Sequence, residues 1–153
     1  STPSKSELCP EWMQSCFILY KELEDLGFQQ FPTKNAPKQY LETHPHASFC
    51  AMLEQLPLSK PSLEGRLQRQ LVLHEAKVGI KDPMEFFEEI TRHRLMQGIL
   101  PKEMIYLPEQ LDAVVAAFTA YLADRDPEII SFIGSINEGR IVLPAKSLLE
   151  NYK

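Results

Sequence analysis

The segment Leu41-Glu42-Thr43-His44-Pro45 marks the point at which the chain changes from one kind of secondary structure to another. The run Lys38-Gln39-Tyr40-Leu41 before it is β-rich, and Pro45 stops a strand but can open a helix. We therefore expect a strand over 38–43 and a helix from Pro45 to about Leu56. Because α/β folds hold ligands at the carboxyl ends of their strands, Glu42 is at a position where a functional carboxylate is expected.

A second carboxylate, Asp112, lies in the first turns of an alanine-rich helix. Pro108 opens this helix, and we expect it to run to Ala123. A carboxylate that faces packed elements is costly unless it is hydrogen-bonded, paired or metal-bound. Two such carboxylates indicate a site for Mg²⁺ or Mn²⁺, which prefer oxygen ligands and activate water for phosphoryl chemistry. The alternatives are a solvated strand end for Glu42 and a helix-dipole stabiliser for Asp112.

A basic element begins a helix between the two carboxylates, in Ser59-Lys60-Pro61-Ser62-Leu63-Glu64-Gly65-Arg66-Leu67-Gln68-Arg69. Lys60, Arg66 and Arg69 can hold a phosphate or neutralise transition-state charge, or they can form a solvated basic face. Gly65 costs about 1 kcal/mol relative to alanine in a helix, which suggests a close approach of backbone or ligand. His44 is a further candidate, as a proton-transfer residue or a residue that orients a metal ligand.

The rest of the chain predicts more helices than strands. We expect a helix over 11–26, a short strand or extended segment over 28–31, a helix from Ser62 to Val78, a helix over 83–96, a β-hairpin over 129–144 and a last helical turn at Leu148 and Leu149. Helical spacing predicts a buried stripe on the first helix that includes Cys16, Leu19 and Leu26. Together these elements indicate an α/β fold.

The composition is that of an ordinary globular domain, with 44% hydrophobic and 24% charged residues in 153 positions. The net charge of −5 gives no global basic field for nucleic acid, so polyanion binding needs a local patch or metal ions. No segment of the sequence reaches the length of about 18 apolar residues that a membrane span requires. The three cysteines form no Cys-x-x-Cys pair, which favours a reducing compartment such as the cytoplasm.

Four motifs occur in a fixed order: Glu-x-His-Pro-x-x-x-Phe at 42–49, Lys-(x)4-Gly-Arg-x-x-Arg at 60–69, Leu-Asp-Ala-x-x-Ala-Ala at 111–117 and Glu-Gly-Arg-Ile-Val-x-Pro at 138–144. In this order they resemble a largely uncharacterised family of predicted ribonuclease-H-like nucleases, over roughly residues 10–146. The resemblance implies a ribonuclease-H-like fold and metal-dependent hydrolysis of nucleic acid. It implies catalytic roles for Glu42, Asp112 and Lys60, metal binding by Glu42 and Asp112, and substrate binding by Arg66, Arg69 and His44.

The chain departs from that family at its start. Members begin with a strand that carries an aspartate in a Gly-x-Asp-type motif, and nothing in residues 1–31 matches it. We therefore expect residues 1–9 to be disordered or a linker, and residues 10–153 to be the C-terminal, helix-rich part of one ribonuclease-H-like domain without its leading strands. Such a fragment is expected to be inactive by itself. Its exposed sheet edge is expected to favour a homodimer.

Two other functions are compatible with the sequence. The first is a non-catalytic ribonuclease-H-like module that binds a nucleotide or a protein. The second is an unrelated helical protein-interaction domain, for which we expect an all-helical bundle.

Overall fold

A computed structural model describes residues 10–135 and 139–153, except for the side chain of Trp12. The described chain is a mixed α/β structure in which helices predominate and the strands form two small sheets. The predicted α/β class is therefore confirmed, and an all-helical bundle is excluded. The predicted disorder of residues 1–9 and the tip of the predicted hairpin, 136–138, lie outside the described residues.

The chain divides into two compact units. The first contains the described residues up to Glu42 and those within Gly134–Arg140, and the second contains Thr43–Ile133 and Ile141–Lys153. In the order of the chain, the elements are α1 (Glu11–Asp25), β1 (Gln29–Gln30), β2 (Gln39–Tyr40), α2 (Pro45–Leu53), α3 (Leu63–Glu75), α4 (Glu85–Glu88), α5 (Arg92–Met96), α6 (Pro108–Arg125), β3 (Ser131–Ser135) and β4 (Gly139–Leu143).

In the first unit, β1 and β2 pair in parallel, with Gln29 opposite Gln39 and Gln30 opposite Tyr40. The predicted strand over 38–43 is therefore shorter than expected, and Glu42 forms only an isolated bridge. The buried stripe predicted for α1 is wrong at three positions, because Cys16, Leu19 and Leu26 are exposed. Helical spacing identified an apolar side of α1, but the described residues supply no surface that buries these three side chains.

The core of the second unit lies between α2, α3 and α6. Phe49 from α2, Leu73 from α3, and Leu111 and Val115 from α6 form its fully buried cluster. Leu111 and Val115 are four residues apart on α6, so this helix presents one apolar side to α2 and α3. The helices predicted to start at Pro45, Ser62 and Pro108 are confirmed, with Pro45 and Pro108 in the first turn of their helices.

Three further predictions for the second half of the chain have different outcomes. The helix expected over 83–96 is two short helices, because Thr91 takes an extended conformation and its hydroxyl accepts the N–H of Arg94, which starts α5 anew. The hairpin strands β3 and β4 are neighbours in the second sheet, as predicted. The last helical turn is wrong, since Leu148 and Leu149 lie in irregular structure. Over the described ranges, every helix is too short or too polar to cross a bilayer.

Candidate functional site

A small polar pocket of about 190 Å³ lies within the second unit, beside the start of α2. Its lining brings together side chains from the start of α2, the loop before α3, α3 itself and α6: His44, Pro45, His46, Lys60, Arg69 and Asp112. Four of these, His44, Lys60, Arg69 and Asp112, are predicted site residues that are far apart in the sequence. His46 was not assigned a role from the sequence.

The loop that carries Lys60 is held against the first turn of α3. A Cβ on Gly65 would lie 1.9 Å from the carbonyl oxygen of Ser59, so only glycine fits at this position. The Ser59 carbonyl also accepts the hydroxyl of Ser62 at 2.8 Å, while the Ser62 oxygen caps α3 by accepting the N–H of Gly65 at 3.0 Å. The close approach predicted at Gly65 is confirmed, and the group that approaches is backbone.

Lys60 and Asp112 form an ion pair across the pocket. The Nζ atom of Lys60 lies 2.6 Å from Oδ2 of Asp112, with the two side chains 45% and 27% exposed. The Asp112 carboxylate is therefore partly buried and neutralised by a cation. This is one of the arrangements that make a carboxylate on an apolar helix tolerable.

Arg69 is the most buried polar residue of the pocket, with 2% of its surface exposed. Its Nη1 donates to the carbonyls of Leu58 and Gly65, both at 2.8 Å, and its guanidinium carbon lies 5.5 Å from the centre of the Phe49 ring. Burial lowers the pKa of Arg69 from its usual value, and the charge of Asp112 acts in the opposite direction. Arg69 is thus a fixed cation and part of the packed structure.

His44 caps α2 with its side chain. Its Nδ1 accepts the N–H of Ala47 at 3.3 Å, so in this state Nδ1 carries no proton. The neutral imidazole then has its proton on Nε2, which makes that atom a hydrogen-bond donor. The first turn of α2, where a helix has unsatisfied N–H groups and partial positive charge, also borders the pocket through Pro45 and His46.

Arg66, which is predicted to bind substrate, donates hydrogen bonds to backbone carbonyls. Its Nε donates to the carbonyl of Tyr106 at 2.8 Å and its Nη2 to that of Ile105 at 2.7 Å. One turn later on α3, Gln70 donates to the Met104 carbonyl at 3.0 Å and accepts the N–H of Tyr106 at 2.8 Å. Together they fix the segment that leads into α6, on which Asp112 lies. Gln70 gave no signal in the sequence beyond its position four residues after Arg66.

Glu42 lies in the first unit, whereas the pocket lies in the second. Its carboxylate accepts a hydrogen bond from the hydroxyl of Tyr20, whose ring lies 5.3 Å from that of Tyr40. Burial raises the pKa of Tyr20 above its usual value, and the hydrogen bond to Glu42 raises it further. The metal site expected from Glu42 and Asp112 stays a prediction.

The fit of a divalent metal depends on which oxygen and nitrogen ligands converge. No group of three or more His, Cys, Asp or Glu side chains among the described residues has the geometry to hold a metal ion. Asp112 contacts Lys60, and Glu42 contacts Tyr20. The described residues, as they are arranged, do not fit a complete metal site by themselves.

Comparisons with known proteins identify a family. A family model described as a protein of unknown function (DUF429) matches residues 3–133. The curated proteins and the solved structures give no match to this chain. The matched span includes every residue that lines the pocket. The chain belongs to the DUF429 family of proteins of unknown function.

Proposed function

We propose that the pocket binds a phosphate group of a nucleic acid, and that the protein acts as a metal-dependent nuclease of ribonuclease-H-like type. The observation that carries the binding step is the buried Arg69 guanidinium in a pocket that also contains Lys60. A guanidinium held rigidly by backbone carbonyls loses little entropy when it binds an anion. Lys60 adds a mobile cation, and neutral His44 adds an N–H donor.

Hydrolysis is supported by the resemblance of the four motifs to predicted ribonuclease-H-like nucleases. In that proposal, Mg²⁺ or Mn²⁺ would be held by Glu42 and Asp112 together with further ligands, and would supply activation of water. The described residues do not complete such a site by themselves. Within the pocket, Lys60 and Arg69 hold the phosphate, and Asp112 orients Lys60.

A second candidate function is a non-catalytic module that binds phosphate-containing ligands. The ion pair between Lys60 and Asp112 favours it, because a carboxylate neutralised by lysine binds a metal ion less readily. Both functions use the same pocket and differ only in whether bond cleavage follows binding.

Two further parts of the proposal concern location and assembly. The free thiols of Cys16 and Cys50 are compatible with a reducing compartment, and we propose the cytoplasm.

In the described part of the chain, the sheet of β1 and β2 has no third strand. Because unpaired strand edges recruit other chains, we propose a homodimer through this sheet. Size-exclusion chromatography coupled to light scattering tests it by measuring the molar mass in solution.

The experiment measures binding and cleavage of labelled single-stranded and hybrid oligonucleotides, with Mg²⁺, with Mn²⁺ and with a chelator. Binding that falls in Lys60→Ala, with a salt slope lower by about 1, supports the pocket. Lys102→Ala, which removes an exposed lysine that does not line the pocket, is the matched control.

The outcomes separate the two functions. Cleavage that requires metal and is lost in Asp112→Asn supports the nuclease. Binding with no cleavage under any metal supports the non-catalytic module. Oligonucleotide binding that is absent, or equal in the Lys60→Ala and Lys102→Ala variants, overturns both.

A further inference from the structure

The pocket combines hydrogen-bond donors with a carboxylate acceptor. In the described part of the chain, every hydrogen bond from Arg69 leaves from Nη1, and no buried side-chain nitrogen or oxygen lacks a partner. The Nε and Nη2 atoms of Arg69 are therefore reached by solvent, although the residue as a whole is almost completely buried. Since Arg69 lines the pocket, its uncommitted N–H groups are available to a ligand there.

Asp112 supplies the acceptor. Lys60 contacts Oδ2, and the described residues donate no hydrogen bond to Oδ1. An ionised carboxylate can only accept hydrogen bonds, so Oδ1 favours a ligand atom that carries a proton. An anion whose oxygens are all acceptors would instead meet Oδ1 with a repulsive contact.

The charge and the volume of the pocket further restrict the class of ligand that it can bind. Lys60 and Arg69 are cations and Asp112 is an anion, so these three side chains together carry one net positive charge. A volume of about 190 Å³ holds roughly six water molecules at ~30 Å³ each. Pockets that enclose a whole small molecule are larger, at about 300–1,000 Å³. The pocket therefore fits a single charged group.

We propose that the pocket is a receptor for a phosphate monoester, the terminal phosphate of a nucleic acid strand or of a nucleotide. A monoester in its singly charged form carries an O–H that can donate to Oδ1 of Asp112, while its other oxygens accept from Arg69 and Lys60. An internal phosphodiester has no such proton. The proposal rests on the phosphate binding proposed above and specifies which phosphate is bound.

The test compares four forms of one short oligonucleotide, each labelled on the same internal base and differing at the 5′ terminus. These carry a phosphate, a hydroxyl, a methyl phosphate, or no terminal group because the strand is circular. Binding is measured at a pH about one unit below the monoester's second pKa of about 6, where the methyl phosphate is a diester of nearly the same size and the same single charge that has lost the O–H. We expect the 5′-phosphate form to bind at least about tenfold more tightly than the other three.

Two variants test whether the preference for the 5′-phosphate form comes from the pocket. In Asp112→Asn, whose folding is checked by circular dichroism, the preference for phosphate over methyl phosphate should fall to about twofold or less. In Lys102→Ala it should be unchanged. Competition by a mononucleotide at the same concentration as the oligonucleotide assigns the ligand to free nucleotides, whereas competition only at much higher concentration assigns it to strand ends.

The failures are distinguishable. Equal binding of all four forms, with loss of binding in Lys60→Ala, overturns the monoester proposal and leaves the proposed function standing. The same holds if the methyl phosphate binds as tightly as the phosphate. Absence of binding to every form of the oligonucleotide and to a labelled mononucleotide overturns both proposals.

Discussion

Lys60 and Asp112 are fifty-two positions apart in the sequence, yet Nζ of Lys60 lies 2.6 Å from Oδ2 of Asp112. The contact joins the loop before α3 to the first half of α6. It also places a cation and a carboxylate at the same pocket. Its strength and its effect on ligand binding can be measured separately.

The ion pair should contribute little to the stability of the fold. In a double-mutant cycle of Lys60→Ala and Asp112→Asn, we expect a coupling free energy of about 0.2–1 kcal/mol, because Lys60 is largely exposed. Denaturant unfolding at low and high salt measures it, and high salt should reduce it. The exposed pair of Arg94 and Glu89 is the matched control. A coupling well above that of the control pair would contradict this expectation.

Substitution of Gly65 by alanine should destabilise the protein strongly. The new Cβ would collide with the Ser59 carbonyl, so the loop that carries Lys60 must move. Overpacking of this kind costs about 1–3 kcal/mol. Gly79→Ala is the control. Its new Cβ would meet nothing within 4 Å, so the protein is destabilised only by the backbone strain of alanine at a positive φ, about 1 kcal/mol. Urea unfolding of both variants measures the loss in free energy of unfolding. Equal losses in the two variants would contradict the close contact at Gly65.

Arg69→Met should lower both stability and anion binding. The methionine keeps most of the apolar stem but leaves the carbonyls of Leu58 and Gly65 without the donor that Arg69 provides. Loss of hydrogen bonds to a charged group costs on the order of 1.5–3 kcal/mol. Arg92→Met, at an exposed position on α5, is the control. Thermal unfolding that is the same for the two variants would show that Arg69 does not hold the loop.

The pH dependence of stability should contain a contribution from Tyr20. Its pKa is raised in the folded protein, so below the unfolded value of 10.0 its stabilising effect is fully present. As the pH rises above 10.0, the unfolded state loses its proton first, and this contribution is progressively lost. Tyr20→Phe should therefore unfold with a weaker pH dependence above pH 10.0. Tyr121→Phe, at a tyrosine that is 60% exposed, is the control. Identical alkaline profiles for the wild type and Tyr20→Phe would contradict the prediction.

The sequence by itself determined most of the helices and the close contact at Gly65. Pro45, Ser62 and Pro108 mark helix starts through local backbone chemistry, which needs no tertiary structure. Spacing identified the apolar side of α6, where Leu111 and Val115 are fully buried. It also identified an apolar side of α1, but burial depends on what lies opposite, and Leu19 is more than half exposed.

Only the tertiary structure decided which of the charged residues meet. Arg66 and Arg69 are three positions apart on one helix. Arg66 nevertheless donates to backbone carbonyls before α6, while Arg69 lines the pocket. A periodic pattern gives the side of a helix, but it does not show which loop carbonyls lie against that side. For the same reason, the sequence did not show that Asp112 forms its ion pair with Lys60. Long-range ion pairs depend on packing between elements, which local sequence does not encode.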